Sequence, residues 1–141
     1  MATLNSYLNF NGNTEQAFNF YKTIFGGEFK DLVRFKDTPE KDKLKPAEQE
    51  NIMHISLPIG KGNVLMATDA LESMGHTIKP GTNFHLVIEA ESKEEADKLF
   101  KGLSPGGKAT MPPQDTFGGA YFGMMTDRFG IQWMVNYTKP K

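Results

Sequence analysis

Hydrophobic and polar positions run through the same order twice along this chain of 141 residues. In each copy a strand-like stretch, Tyr7–Phe10 or Phe84–Ile88, precedes apolar residues that recur at helical spacing. Three helical positions match across a constant separation of 79 residues (96 − 17 = 79): Ala17 with Ala96, Phe20 with Leu99, and Tyr21 with Phe100. A repeat of this length predicts two structural units, each with an apolar face that only its partner can bury.

Residues typical of helix ends bound both helical segments. Asn13 or Thr14 can cap the first helix, and Gly26-Gly27 ends it. At the start of the second, Ser92 is followed three residues later by Glu95, the pattern of a capping box. Both segments are therefore predicted to be helices of about three turns.

Strand-like runs follow each predicted helix, so that each copy reads βαβββ. They comprise Glu28–Phe35, Ile52–Ile59 and Val64–Thr68 in the first copy, and Lys108–Met111, Ala120–Thr126 and Ile131–Tyr137 in the second. The predicted fold class is α+β, with one module at about residues 3–69, a linker at 70–81 and a second module at about 82–138. We expect residues 1–141 to form one domain rather than two independent ones.

The strands that close the copies repeat at a different separation. Gly62–Met66 corresponds to Gly130–Met134 with a spacing of 68 residues (134 − 66 = 68). The first copy is therefore longer by 11 residues (79 − 68 = 11), and the charged run Lys36–Glu50 is the predicted location of this surplus. Its charge and its two prolines favour a mobile flap or a dimer contact.

Side-chain alternation along the predicted strands assigns residues to the two faces of each sheet. The residues predicted to face the helices are Met53, Ile55, Leu57, Trp133 and Val135. The residues predicted on the opposite, concave side of the same strands are His54, Ser56, Gln132, Met134 and Asn136.

Composition excludes several classes of function. A net charge of −1, with acidic and basic residues mixed along the chain, gives no basic stripe for nucleic acid. The chain has no Cys, which excludes disulfides, thiolate metal sites and cysteine nucleophiles. No apolar run approaches the ~18 residues of a membrane span, and no targeting segment is visible. We therefore expect a soluble cytoplasmic protein without a membrane or nucleic-acid partner.

Two segments, FNGNTEQAFNFYKTIFGGEF and TFGGAYFGMMTDRFGIQWMVNY, resemble the vicinal oxygen chelate (glyoxalase, bleomycin-resistance and dioxygenase) superfamily, and within it the PhnB-like group. The most specific features are Asp127, Phe129-Gly130 and Trp133–Asn136. One departure is Phe117, which is followed by Gly118-Gly119 where PhnB-like members often carry an aromatic residue. The resemblance implies two modules whose curved sheets form a ligand cleft, commonly in a homodimer.

The same resemblance implies where a metal would lie, because metal-using members hold their ligands on the first and last strands of each module. With the two repeat offsets, these positions fall on Ser6, Met66, His85 and Met134. Only His85 is a usual ligand for a divalent ion, and thioether sulfur suits mainly copper(I). We therefore expect no cofactor and no tightly bound metal, although a divalent metal stays open as an alternative.

The remaining candidate residues line the concave side. His54 and His85 are candidate catalytic residues, since two imidazoles in one cleft can serve as acid and base near neutral pH. The candidate ligand-binding residues are Ser6, Ser56, Met66, Thr68, Phe122, Met124, Gln132, Met134 and Asn136. Phe122 and Met124 share the phase of His54 and Ser56 through the 68-residue offset, and Met66 and Met134 suit apolar walls.

Three functions stay open on this basis. The first is a glyoxalase-like protein that sequesters a small, partly apolar molecule in its cleft without a metal. The second is an isomerase, lyase or dioxygenase of the same superfamily that depends on a metal or on His54 and His85. The third is an interaction module whose cleft is filled by its own side chains. PhnB-like sequences are sometimes labelled demethylubiquinone methyltransferases, but no glycine-rich strand-to-helix turn supports that activity here.

Overall fold

The structure, a computed structural model, describes residues 2–140. The described chain divides into two compact units, which we call unit 1, up to Lys79, and unit 2, from Pro80. Within residues 2–140, no helix is long and apolar enough to span a membrane.

Unit 1 contains a four-stranded mixed sheet. Its elements in chain order are β1 (Ser6–Phe10), α1 (Thr14–Phe25), β2 (Asp31–Arg34), a short helix α2 (Pro46–Gln49), β3 (Ile52–Ile59) and β4 (Asn63–Asp69). The strand order is β1-β4-β3-β2, with β1 parallel to β4 and the other pairs antiparallel.

Unit 2 repeats this arrangement. Its elements are β5 (Leu86–Glu89), α3 (Lys93–Leu103), β6 (Lys108–Asp115), β7 (Ala120–Thr126) and β8 (Gln132–Thr138). The strand order β5-β8-β7-β6 matches that of unit 1, and β5 is again parallel to β8. The predicted α+β class and the two βαβββ modules are therefore confirmed.

The two main helices begin in different ways. At α3, the Ser92 hydroxyl accepts the backbone N–H of Glu95 at 3.0 Å, as the capping-box pattern predicts. At α1, neither Asn13 nor Thr14 provides the cap; instead the buried carboxylate of Asp69 accepts the Thr14 N–H at 3.0 Å and its hydroxyl at 2.6 Å. The cap of α1 thus comes from the end of β4, which ties the helix to the sheet.

The core of unit 1 lies between α1 and the sheet, where Ala17, Phe18 and Tyr21 are fully buried. The prediction that Met53 faces the helix is wrong, because the pairing of β2 with β3 is irregular at that residue. Val33 pairs with His54 but Arg34 pairs with Ile52, so Ile52 takes the buried position. Met53 packs instead against a separate cluster of Phe35, Leu44 and Leu71.

In unit 2, Trp133 and Val135 are buried beneath α3, as predicted. A buried carboxylate, Asp127, organises the turn before β8. It accepts the N–H groups of Phe129 at 2.8 Å and Ile131 at 3.0 Å, and the indole N–H of Trp133 at 2.8 Å. The Asp, Phe-Gly and Trp pattern noted in the sequence is therefore a structural turn.

The surplus of the first copy lies between β2 and β3, as predicted. It contains two 3₁₀ turns, Phe35–Asp37 and Lys41–Lys43, and α2, whereas residues 116–119 alone join β6 to β7. The segment is held by its apolar cluster and by Glu48, whose carboxylate accepts the Ser73 hydroxyl at 2.6 Å. This hydrogen bond lowers the pKa of Glu48.

Candidate functional site

Strand register defines the sheet face opposite α1, which we call the far face of unit 1: Tyr7, His54, Ser56, Met66 and Thr68. Tyr7 pairs directly with Met66, Met66 with Ser56, and Ser56 with Asp31. Four predicted site residues of unit 1, His54, Ser56, Met66 and Thr68, therefore share one face, since paired residues project to the same side of a sheet.

Ser6 does not belong to this face, so it does not share a side of the sheet with Met66, the other unit 1 position implied for a metal. It pairs with Leu65, and Leu65 with Leu57, both of which are buried on the helix side. Tyr7 occupies the position that was assigned to Ser6. The buried residues Leu8 and Phe10 alternate in phase with Ser6, and this was the sequence signal for the correct assignment.

Tyr7 and His54 contact each other on the far face. The phenol oxygen lies 3.3 Å from Nδ1 of His54, and the two rings are stacked with centroids 5.8 Å apart. Burial raises the pKa of the Tyr7 phenol, while a hydrogen bond with Thr68 works in the opposite direction. Tyr7 can donate to Nδ1 of a neutral His54, which leaves Nε2–H of the imidazole as an outward donor.

The two hydroxyl residues of this face have local partners. Ser56 is buried and donates to Asp31 at 3.2 Å. Thr68 is half-buried and lies 3.4 Å from the carbonyl oxygens of Ile52 and Asp69. Ser56 is therefore a poor ligand donor, while Thr68 also borders a pocket described below.

The corresponding far face of unit 2 is more apolar. Its members are Val87, Phe122, Met124, Gln132, Met134 and Asn136. Val87 pairs with Met134, and Met134 with Met124, while Val87 is 53% exposed. The predicted apolar residues Phe122, Met124 and Met134 are thus brought onto one face and remain partly accessible.

The two amide side chains of this face bond to the protein itself. Gln132 donates to the carbonyl oxygen of Phe84 at 2.5 Å. Asn136 donates to the carboxylate of Glu89 at 2.8 Å and to the hydroxyl of Thr138 at 3.2 Å. Both amides lie on β8 and form hydrogen bonds with β5 or with the residue Phe84 shortly before it. Their role as ligand donors stays a prediction.

His85 precedes β5, two residues before Val87 and in the same phase. Register makes Val87 rather than His85 the residue beside Met134, just as Tyr7 lies beside Met66. The equivalent first-strand positions are thus 80 residues apart (87 − 7 = 80), one more than the helical offset. His54 belongs to unit 1 and His85 to unit 2, and their cooperation stays a prediction.

The donor set at the implied metal positions does not fit a divalent ion. The register-matched pairs are Tyr7 with Met66 and Val87 with Met134, which offer one phenol, two thioethers and an aliphatic group. Such an ion prefers imidazole, carboxylate or other oxygen ligands. In residues 2–140, no group of three or more His, Asp or Glu side chains is arranged to hold a metal.

A pocket of about 610 Å³ lies beside Thr68 in unit 1. The sheet contributes Asn9 and Thr68, and the segment after β4 contributes Ala70 and Gly75–Lys79. Asn9 and Thr68 are paired in the register and belong to the same phase as Tyr7. Sequence reasoning identified only Thr68 here, because no local pattern shows that the linker folds back beside β1.

The chain is similar to known proteins over nearly its whole length. A family model described as the glyoxalase/bleomycin resistance protein/dioxygenase superfamily matches residues 3–135. Protein YjdN of Escherichia coli (strain K12) is 33% identical over 147 aligned positions, which cover 96% of this chain and 95% of that protein.

Solved structures show the same fold over the whole chain. Protein PA1353 from Pseudomonas aeruginosa has a TM-score of 0.85 at 36% identity, with 99% of this chain and 100% of that chain covered. A Bacillus cereus structure described as PhnB protein, putative 3-demethylubiquinone-9 3-methyltransferase, has a TM-score of 0.76 at 24% identity, covering 97% and 100% of the two chains.

Proposed function

This chain belongs to the glyoxalase/bleomycin resistance protein/dioxygenase superfamily, and from that membership and the geometry above we propose that it binds a small, partly apolar molecule without a tightly bound metal. The far face of unit 2 would contact its apolar part through the thioethers of Met124 and Met134 and the ring of Phe122. Assembly as a homodimer and a cytoplasmic location, both expected from the sequence, stay predictions.

The apolar far face of unit 2 is the observation that carries this proposal. Three of its members, Val87, Met124 and Met134, form a continuous row across β5, β8 and β7. Flexible thioethers beside an aliphatic group give an adaptable surface, which suits a ligand held mainly by shape and apolar contact.

We propose binding without a metal because of the side chains present at the implied metal positions. Neither Tyr7 with Met66 nor Val87 with Met134 supplies the carboxylate or imidazole that a divalent ion prefers. Purified protein should therefore contain Zn, Mn, Ni and Fe only well below one equivalent by elemental analysis. A near-stoichiometric content of one of them would contradict this part of the proposal.

Ligand binding is tested by thermal shift against a panel of small metabolites with apolar and polar parts. A ligand at about 100 times its dissociation constant should add roughly 2.7 kcal/mol of stability. Met134→Lys should abolish that shift, whereas Met74→Lys, at an exposed methionine outside both far faces, should preserve it. A panel without any stabilising ligand would favour the interaction module, and equal shifts in both variants would remove the site from this face.

A second candidate function is acid–base catalysis, which the contact between Tyr7 and His54 favours. Once a substrate is found, His54→Ala should lower turnover at least a hundredfold, the lower end of general acid–base contributions. Unchanged turnover in that variant would leave binding alone as the function. The methyltransferase description of the Bacillus cereus protein is not carried over, because a relative 24% identical shares the fold alone.

A further inference from the structure

The pocket beside Thr68 differs in chemistry from both far faces. Five of its eight lining residues are polar, namely Asn9, Thr68, His76, Thr77 and Lys79. No carboxylate is among the described residues that line it, while Lys79 brings an ammonium group. The lining is therefore rich in hydrogen-bond donors and carries positive charge.

The nearest carboxylate in sequence points away from this pocket. Asp69 follows Thr68 but lies in the opposite phase of β4, where it is 2% exposed and accepts hydrogen bonds from Thr14 and Ile52. Its negative charge is thus directed to the helix side, and the pocket keeps the charge of Lys79.

The outer wall of the pocket, Gly75–Lys79, is held in place by its neighbours. The N–H of His76 donates to the carbonyl of Leu71 at 3.0 Å, and the Leu71 N–H approaches Nδ1 of His76 at 3.5 Å. Leu71 is itself buried against Phe35 and Leu44 of the surplus segment. With Nδ1 serving as an acceptor, Nε2 of the neutral imidazole carries the ring proton and is available as a donor.

We propose that this pocket binds an oxyanion, the negatively charged oxygen group of a carboxylate, phosphate or sulfate. Lys79 supplies the charge, and the side chains of Asn9, Thr68, Thr77 and His76 supply neutral donors. Charge-assisted hydrogen bonds from several donors are what such groups require. The inference rests on the proposed function, because the oxyanion would be the charged group of the small molecule that the protein is proposed to bind.

The test is a titration of the intact protein with inorganic phosphate, followed by ¹H–¹⁵N correlation spectra at constant ionic strength. Saturable shifts should concentrate at Asn9, Thr68 and residues 75–79, with a dissociation constant on the order of 1 mM. A parallel titration with acetate distinguishes phosphate from carboxylate as the preferred form.

Two variants of equal charge change make the outcome specific. Lys79→Gln should weaken phosphate binding about three- to tenfold, as expected for one exposed charge-assisted contact. Lys61→Gln, at an exposed lysine of the β3–β4 turn, should leave it unchanged. Thr68→Val should weaken binding without altering net charge. The absence of saturable shifts, or equal weakening by both lysine variants, overturns the proposal, and neutral ligands of the metabolite panel would still test the far faces separately.

Discussion

The far faces of the two units occupy equivalent places in the same fold but differ in chemistry. Tyr7, His54 and Ser56 of unit 1 correspond by register to Val87, Phe122 and Met124 of unit 2. On the helix side the pattern is instead apolar in both units, for example Leu65 and Ala67 against Trp133 and Val135. The helix side is constrained by the core, whereas the far face is free to differ, and this is where we expect specificity to lie.

The units also fasten their helices differently. In unit 1, Arg34 of β2 forms a bidentate ion pair with Glu15 of α1, at 2.9 and 2.6 Å. In unit 2, Tyr121 of β7 donates to Asp97 of α3 at 2.5 Å. The first contact pairs a carboxylate with a guanidinium and is lost when the carboxylate is protonated at low pH. The second pairs a phenol with a carboxylate and is lost when the phenol is deprotonated at high pH.

The largest expected loss of stability comes from replacing the buried aspartates Asp69 and Asp127. Asp69→Ala orphans the N–H groups of Thr14 and Ile52, both in residues at most 1% exposed, and should cost at least about 3 kcal/mol of unfolding free energy. Asp127→Ala orphans the Trp133 indole, but Phe129 and Ile131 are only partly buried, so water can replace part of the loss.

Urea unfolding measures both variants by far-UV circular dichroism and by the fluorescence of Trp133, the single tryptophan. Asp42→Ala, at an exposed aspartate, serves as the control and should change stability by less than about 0.5 kcal/mol. A larger loss in Asp127→Ala than in Asp69→Ala would contradict the comparison drawn from burial.

A smaller effect is expected at the ion pair of unit 1. Arg34 lowers the pKa of Glu15 chiefly through their hydrogen bonds. A lowered pKa in the folded state means that the stabilisation is present above the ordinary pKa of 4.5 and is lost as pH falls through the folded value. Because the Glu15 side chain is 45% exposed, we expect Glu15→Gln to cost only about 0.5–1 kcal/mol at pH 7.

Stability measured by urea unfolding between pH 7 and pH 3 checks this prediction. The difference between the native protein and Glu15→Gln should shrink as pH falls below 4.5. Glu28→Gln is the control, since it removes a carboxylate that is 86% exposed and forms an ion pair with Lys22 at the surface. A constant difference across this range would show that the ion pair does not act through the charge of Glu15.

Features that depend on neighbouring residues in the sequence could be predicted, whereas features that depend on contacts between distant segments could not. Helix bounds, βαβββ order and the burial of Trp133 follow from local periodicity and were predicted. Tyr7 was missed because the helical offset was carried over to β1, although strand pairing with β4 sets that register. Met53 was misplaced because a β-bulge shifts the alternation without a sequence signal, and the pocket depends on how the linker folds back.

The smallest expected effect on stability concerns the hydrogen bond between Tyr121 and Asp97 in unit 2, which is sensitive to high pH. The hydrogen bond to Asp97 is the main cause that raises the pKa of Tyr121 to about 12. A raised pKa in the folded state means that the stabilisation is complete below the ordinary value of 10.0 and is lost as pH rises toward about 12.

An ultraviolet titration of tyrosinate formation checks this prediction; Tyr121 is one of four tyrosines, so the other three form the background. The change that Tyr121→Phe removes should centre near pH 12, and Asp97→Asn should move it toward pH 10 because the charged acceptor is lost. Asp42→Asn is the matched control and should leave the titration unchanged. If Asp97→Asn also leaves it unchanged, α3 is not fastened to β7 by this bond, and the contrast between an acid-sensitive unit 1 and an alkali-sensitive unit 2 disappears.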